Sequence, residues 1–377
     1  MNRGSGITPA GRGKVTGRFR QNPGEAWLRP AVRAALGAMA AVALALGAAA
    51  PTRAQEDLAA IEEAARQEGA MTWYVSFYGQ DLADKTAEAF AKKYPGLTVK
   101  AVRATTGGIF QRLNQDLRAN NTVAGVVSMS GIGDHYGLLM RDKHLASYVP
   151  PSATKIIAAA KPVIVEGHVY PFGGGLMAMA YNNKLVSAAD APKSWADMAD
   201  PKWKGKLAVG HPGFSGFDAA LVAWLSKEKG WDYFKAIRAN DPLVQRSTFD
   251  SITSLNSGER LVAPMPDGVA APSIDKGNPI AVVYPTDGSL FIMGLTAIMK
   301  NAPQPNLAKL FTEFLLGEEH ADILVNNHYD SVRGGVERTL VGGKRLGDIA
   351  VVPLLPSAEY AETLKTSTEQ WRELFGG

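Results

Sequence analysis

Apolar and polar positions change rhythm repeatedly from residue 57 onward, and each change predicts an element. Residues 57–69 carry charges at helical spacing, and 71–77 (MTWYVSF) are aromatic and β-branched, the composition of a short buried strand. A helix is predicted over 81–93, stopped by Tyr94-Pro95-Gly96. The next segments are a strand over 97–104, a helix from Gly107-Gly108 to 118, and a strand over 123–129. Strand alternating with helix implies a parallel sheet covered on its faces, with ligands beyond the carboxyl ends of the strands.

Further on, 168–172 and 177–181 read as extended segments broken by Gly173-Gly174-Gly175. A second α/β unit follows, with strands over 206–210, 261–264, 281–284 and 295–299 and helices over 217–227, 231–239 and 251–257. Helices over 306–316, 318–327 and 357–374 close the chain. The triple glycine lacks the Lys-Ser/Thr ending of a phosphate loop and carries no nucleotide role.

Small polar residues collect at the predicted strand ends: Ser76 to Gly79, Thr105 to Gly108, and Ser128 to Gly131. One such loop is ordinarily a tight turn; three at one edge point to a site. Ser215 precedes an apolar helix as an N-cap. The amides of Gly216, Phe217 and Asp218 there serve either capping alone or an anion. Arg103 is placed for a bidentate grip on a carboxylate, phosphonate or sulfonate, or for a surface ion pair. Asp267, in Met-Pro-Asp-Gly, either pairs with an amine or makes a turn, the commoner role.

Catalytic and metal patterns are weak. The six His occur singly, and solvated helix faces account for His320 and His328. Gly213-Phe-Ser-Gly-Phe is not a nucleophile elbow, and Ser130 has no identifiable His partner.

Composition adds a compartment. The 377 residues are 46% hydrophobic and 20% charged, long enough for two domains. The net charge of +4 suggests a nucleic-acid partner until it is divided along the chain. Residues 1–54 hold eight basic side chains against Glu25, a charge of +7, which leaves −3 for residues 55–377. The basic stretch runs into an uncharged Ala-rich segment, 34–50, and then Thr52-Arg53-Ala54, the pattern of a signal peptide cut after Ala54 and not of a retained anchor. There is no Cys, hence no disulfide, thiolate site or lipidated amino terminus. An exported periplasmic protein without a nucleic-acid partner is expected.

Trp195-Ala-Asp-Met-Ala-Asp-Pro201-Lys-Trp203-Lys-Gly205-Lys-Leu, Val75-Ser-Phe-Tyr, Arg103-Ala-Thr-Thr-Gly and Tyr284-Pro-Thr-Asp287-Gly288 carry a resemblance. They resemble the periplasmic solute-binding proteins of ABC importers, in the iron(III)-binding-protein-like branch of the type II fold. The resemblance spans residues 70–377. It implies an α/β protein of two lobes joined by crossover strands, with a ligand cleft between them. Lobe 1 takes residues 55–160 and 285–325, and lobe 2 takes 161–284 and 326–377. It also implies an ABC permease as partner, a monomer, no cofactor and no enzyme activity. The adjacent Tyr-Tyr pair of ferric members is missing: Met265-Pro266-Asp267-Gly268 stands there, while Ser215-Gly216 matches the family's anion cradle. A small organic anion is therefore the expected cargo, with iron(III) carriage and a secreted serine hydrolase as alternatives. The expected ligand-binding residues are Phe77, Tyr78, Arg103, Thr105, Thr106, Gly107, Ser128, Ser130, Ser215, Gly216, Phe217, Ser247, Thr248, Asp267 and Tyr284.

Overall fold

The computed structural model describes residues 57–130, 135–165, 167–353 and 358–376. The leader and its cleavage point, Gly131 and the expected helix start at 357 lie outside the described residues.

In chain order the elements are α1 (Leu58–Arg66), β1 (Ala70–Val75), α2 (Gln80–Lys93), β2 (Thr98–Arg103), α3 (Thr106–Arg118), β3 (Ala124–Ser130), α4 (His135–Arg141) and β4 (Val169–Asn182). Then come β5 (Ala208–Gly210), α5 (Gly216–Glu228), α6 (Gly230–Ala239), β6 (Leu243–Gln245), α7 (Thr248–Ser257), β7 (Val262–Pro266), α8 (Asp267–Asp275) and β8 (Ile280–Val283). The last are β9 (Ser289–Ile298), α9 (Pro305–Leu316), α10 (Glu318–Asn326), β10 (Val351–Pro353) and α11 (Ala358–Phe375). Among the described residues no helix is long and apolar enough to cross a membrane.

β1 lies between β2 and β3, parallel to both, as the alternation of strands and helices requires. The sheet continues through β9 and β4, each antiparallel to its neighbour. β4 changes partners along its length: Val169 to Leu176 pair with β9, and Met177 to Asn182 pair with β7 and β8. It is therefore one long strand serving two sets of neighbours. The expected boundary at residue 160 falls upstream of it, in a 3-10 turn over Ala158–Val163.

The break expected at Gly173-Gly174-Gly175 is absent, because these glycines lie inside β4. Close approach explains them. A Cβ on Gly174 would sit 2.2 Å from the Phe291 ring, and one on Gly173 would sit 2.8 Å from Leu324 Cδ1. The Asp-Gly turn is also replaced, since Asp267 is the first residue of α8. His320 is not on a solvated face; it is fully buried, 5.9 Å from the Phe172 ring, with Nδ1 2.8 Å from the Leu315 carbonyl. Burial lowers its pKa to about 4.

The Trp195–Lys206 signature ties distant segments together. Trp195 donates from its backbone amide to Asp287 Oδ1 (2.9 Å) and from its indole to the Gly288 carbonyl (2.8 Å). Trp203 donates to the Asp197 carbonyl (3.0 Å), and Asn240 donates to that of Asp200 (2.9 Å). The buried Trp195 indole fixes the loop onto the 285–288 turn, and the buried Trp203 indole ties the loop to itself.

Candidate ligand-binding site

Three hydroxyls meet at the carboxyl ends of β1 and β3. Thr106, the first residue of α3, stands between Ser76 and Ser130, its Oγ1 3.0 Å from Ser76 Oγ and 3.1 Å from Ser130 Oγ. The start of α5 lies directly opposite. A Cβ on Gly216 would be 1.8 Å from Ser130 Oγ and 3.2 Å from Thr106 Oγ1, so only glycine allows this approach. The Gly107 amide donates to the Phe214 carbonyl at 3.2 Å, joining the same two edges.

Both helix starts are capped as their sequences demand. Thr105 Oγ1 accepts from the Gly108 amide (3.2 Å), and Ser215 Oγ accepts from the Asp218 amide (3.3 Å). First-turn amides have no intrahelical acceptor, and two such helix ends carry partial positive charge into one space. That space is a cavity of about 270 Å³, lined by Thr106, Gly107, Ser215 and Gly216 and closed on another side by α11. Asp218, in the first turn of α5, is buried. Burial raises its carboxyl to about pKa 7, with the Ser215 hydroxyl and the Thr248 amide opposing.

Behind the hydroxyls is an aromatic wall. The Phe77 ring lies 5.4 Å from Phe172, 5.4 Å from Phe217 and 5.8 Å from Tyr329. The Tyr78 phenol is enclosed with Thr86 and His320, each 3.5 Å away, and burial raises its pKa.

Other expected residues have different tasks. The Arg103 guanidinium lies 4.5 Å over the Phe249 ring, and its Nε donates to the Tyr78 carbonyl at 3.4 Å. Among the described residues it makes no ion pair within 4 Å, so a surface ion pair is not its role, and it does not line the 270 Å³ cavity. Ser128 is committed to the sheet, accepting from Trp73 Nε1 and donating to Thr296 Oγ1, both at 2.9 Å. Ser247 caps α7, its amide and hydroxyl donating to Asp250 Oδ2 at 3.1 and 3.2 Å. The Thr248 hydroxyl is buried without a partner.

Asp267 and Tyr284 belong to a buried network centred on Arg338, which the sequence did not reveal. Arg338 Nη2 donates to Asp267 Oδ2 and to Asp330 Oδ2, each at 2.8 Å, and Tyr284 Oη donates to Asp267 Oδ2 at 2.7 Å. Asp267 therefore has its counter-charge within the protein, and the amine-pairing role is displaced. No local pattern marks Arg338, which is 71 residues from Asp267 in sequence.

The family model for bacterial extracellular solute-binding proteins matches residues 137–346, and the chain belongs to that family. A putative 2-aminoethylphosphonate-binding periplasmic protein of Salmonella typhimurium is 26% identical over 62% of this chain and 68% of its own. The periplasmic binding protein AfuA from Actinobacillus pleuropneumoniae, solved with exogenous fructose-6-phosphate bound, superposes with a TM-score of 0.72 at 22% identity over 81% of this chain and 98% of its own. Iron-bound HitA from Pseudomonas aeruginosa gives 0.67 at 20% over 81% and 99%. The fold is that of the type II periplasmic binding proteins, two α/β lobes joined by crossover strands. The protein is a periplasmic solute-binding component of an ABC transporter.

Proposed function

We propose that the protein captures a small organic anion bearing a carboxylate, phosphonate, sulfonate or phosphate, and delivers it as a monomer to an inner-membrane permease without chemical change. Export with cleavage after Ala54 is part of this reading. So is closure of two lobes, residues 55–160 with 285–325 against 161–284 with 326–377. The supporting observation is the pair of helix N-termini, α3 and α5, that face one 270 Å³ cavity. Its volume lies just below the range for drug-sized ligand pockets, about 300–1,000 Å³, as suits a small ligand. Closure brings Ser130 against Gly216 and Arg103 onto Phe249, contacts that join the two sides and bias the open-closed equilibrium.

Isothermal titration of the mature chain with 2-aminoethylphosphonate, fructose 6-phosphate, propanesulfonate and propionate tests the reading. One-to-one binding of at least one, with compaction by small-angle scattering, is expected. Failure of all four together with tight uptake of iron(III) overturns it.

A further inference from the structure

We propose that two cations of the C-terminal helix, Lys365 and Arg372, make this site select a doubly charged head group, a phosphate or phosphonate, over a singly charged sulfate, sulfonate or carboxylate. This rests on the anion reading and adds the charge of the head group to it.

The helix is held by its apolar face. Trp371 is 2% exposed, stacks on Phe375 at 4.0 Å and meets Phe234 edge-on at 5.7 Å. Tyr360 Oη donates to the Ala220 carbonyl of α5 at 3.2 Å. This packing turns Lys365, Thr368, Glu369 and Arg372, which share one face at helical spacing, to the cavity that Thr106, Gly107, Ser215 and Gly216 line. Arg372 reaches the turn that leads into α5: a Cβ on Gly213 would lie 3.0 Å from Arg372 Nη2.

Among the described residues, Lys365 and Arg372 form no ion pair within 4 Å, although Glu369 is one turn from each. The cavity-lining face of the helix, Lys365 and Arg372 against Glu369, thus brings one net positive charge to a space that two helix N-termini already make electropositive. A full positive charge interacts about twice as strongly with a dianion as with a monoanion of the same shape. Charge-assisted contacts of this kind discriminate by charge where shape cannot.

Propyl phosphate and propyl sulfate at pH 8 are a matched pair, of similar shape and differing by about one charge. Calorimetry on the wild type is expected to show propyl phosphate binding about tenfold tighter than propyl sulfate. Arg372→Gln and Lys365→Gln should each reduce that ratio severalfold, and Glu369→Gln should enlarge it. A merely structural role for α11 would move both affinities together and leave the ratio unchanged. The proposal is overturned if the wild type binds both esters equally, or if the ratio survives in both cation variants. If the wild type binds neither ester but binds propionate, head-group selection fails alone; if it binds none of the three, the anion reading falls with it.

Discussion

Gly216→Ala is the most direct test of the closure proposed above, because the cost is visible in the geometry. The added methyl would lie 1.8 Å from Ser130 Oγ and 3.0 Å from Ser130 Cβ. Rotating the Ser130 hydroxyl away relieves the first overlap but gives up its 3.1 Å contact with Thr106 Oγ1, at a net cost of about 1 kcal/mol. The Cβ contact stays roughly 0.5 Å inside the ordinary carbon–carbon distance of about 3.5 Å. Overpacking of this degree costs about 1–3 kcal/mol. The sum, about 2–4 kcal/mol, corresponds to roughly 30- to 1,000-fold weaker binding of any ligand that requires closure. The penalty falls on the closed contact and not on the helix, where alanine is a better residue than glycine. Titration of the anion found by the ligand panel, with scattering of the bound form, gives the readout in the wild type, Gly216→Ala, Ser130→Ala and the double variant. Ser130→Ala removes the oxygen at 1.8 Å, so the double variant should recover part of the loss, as a coupled pair does. Unchanged affinity and unchanged compaction in Gly216→Ala would refute the reasoning.

Asp218→Asn tests the buried carboxyl beneath the α5 start. Its folded pKa, about 7, lies above the unfolded value of about 3.8. The native state therefore retains a proton that the unfolded chain has lost, and wild-type stability falls as pH rises from about 4 to 7, by on the order of 4 kcal/mol at most. In Asp218→Asn that slope should disappear and the melting temperature at pH 8 should rise; parallel pH profiles of variant and wild type would count against the assignment. Arg338→Met leaves Asp267 and Asp330 buried without their counter-charge, which should cost about 3–5 kcal/mol in urea unfolding. A loss below about 1 kcal/mol would show that the network is not held by its charges.

The strands and helices around the hydroxyl cluster were legible because each carries a strong local pattern: aromatic and β-branched residues in 71–77, Gly or Ser/Thr at the helix starts, and Tyr-Pro-Gly at a helix end. The caps at Thr105 and Ser215 were legible for the same reason, since N-caps are local. Long-range contacts were not. Met-Pro-Asp-Gly reads as a turn, and only Arg338 and Tyr284, brought from far along the chain, explain why Asp267 can open a helix in a buried setting. Gly173 to Gly175 read as a break because the Phe291 and Leu324 side chains that require them belong to other elements. Ser128 and Ser130, two residues apart on one strand face, looked equivalent; Trp73 and Thr296 claim the first, while the second reaches Thr106. Nothing local marks Lys365 and Arg372, because a charged helix face ordinarily meets solvent.

Iron(III) carriage depends on phenols losing their protons, and the tyrosines here are placed against it. Tyr78, Tyr284 and Tyr329 each have a pKa raised by burial. Each unit of that rise adds about 1.4 kcal/mol to the cost of a phenolate ligand. Two of the oxygens also have partners within the protein: Tyr78 Oη lies 3.5 Å from both Thr86 and His320, while Tyr284 Oη donates to Asp267 and accepts from the Val341 amide at 3.1 Å. Among the described residues no group of three or more His, Cys, Asp or Glu side chains is assembled to complete a site. Titration of the mature chain with ferric citrate should therefore produce no visible tyrosinate-to-iron charge-transfer band. A band that appears on loading and is lost in Tyr78→Phe or Tyr329→Phe would reverse the assignment of cargo, because it would require these buried phenols to ionise and converge on one metal.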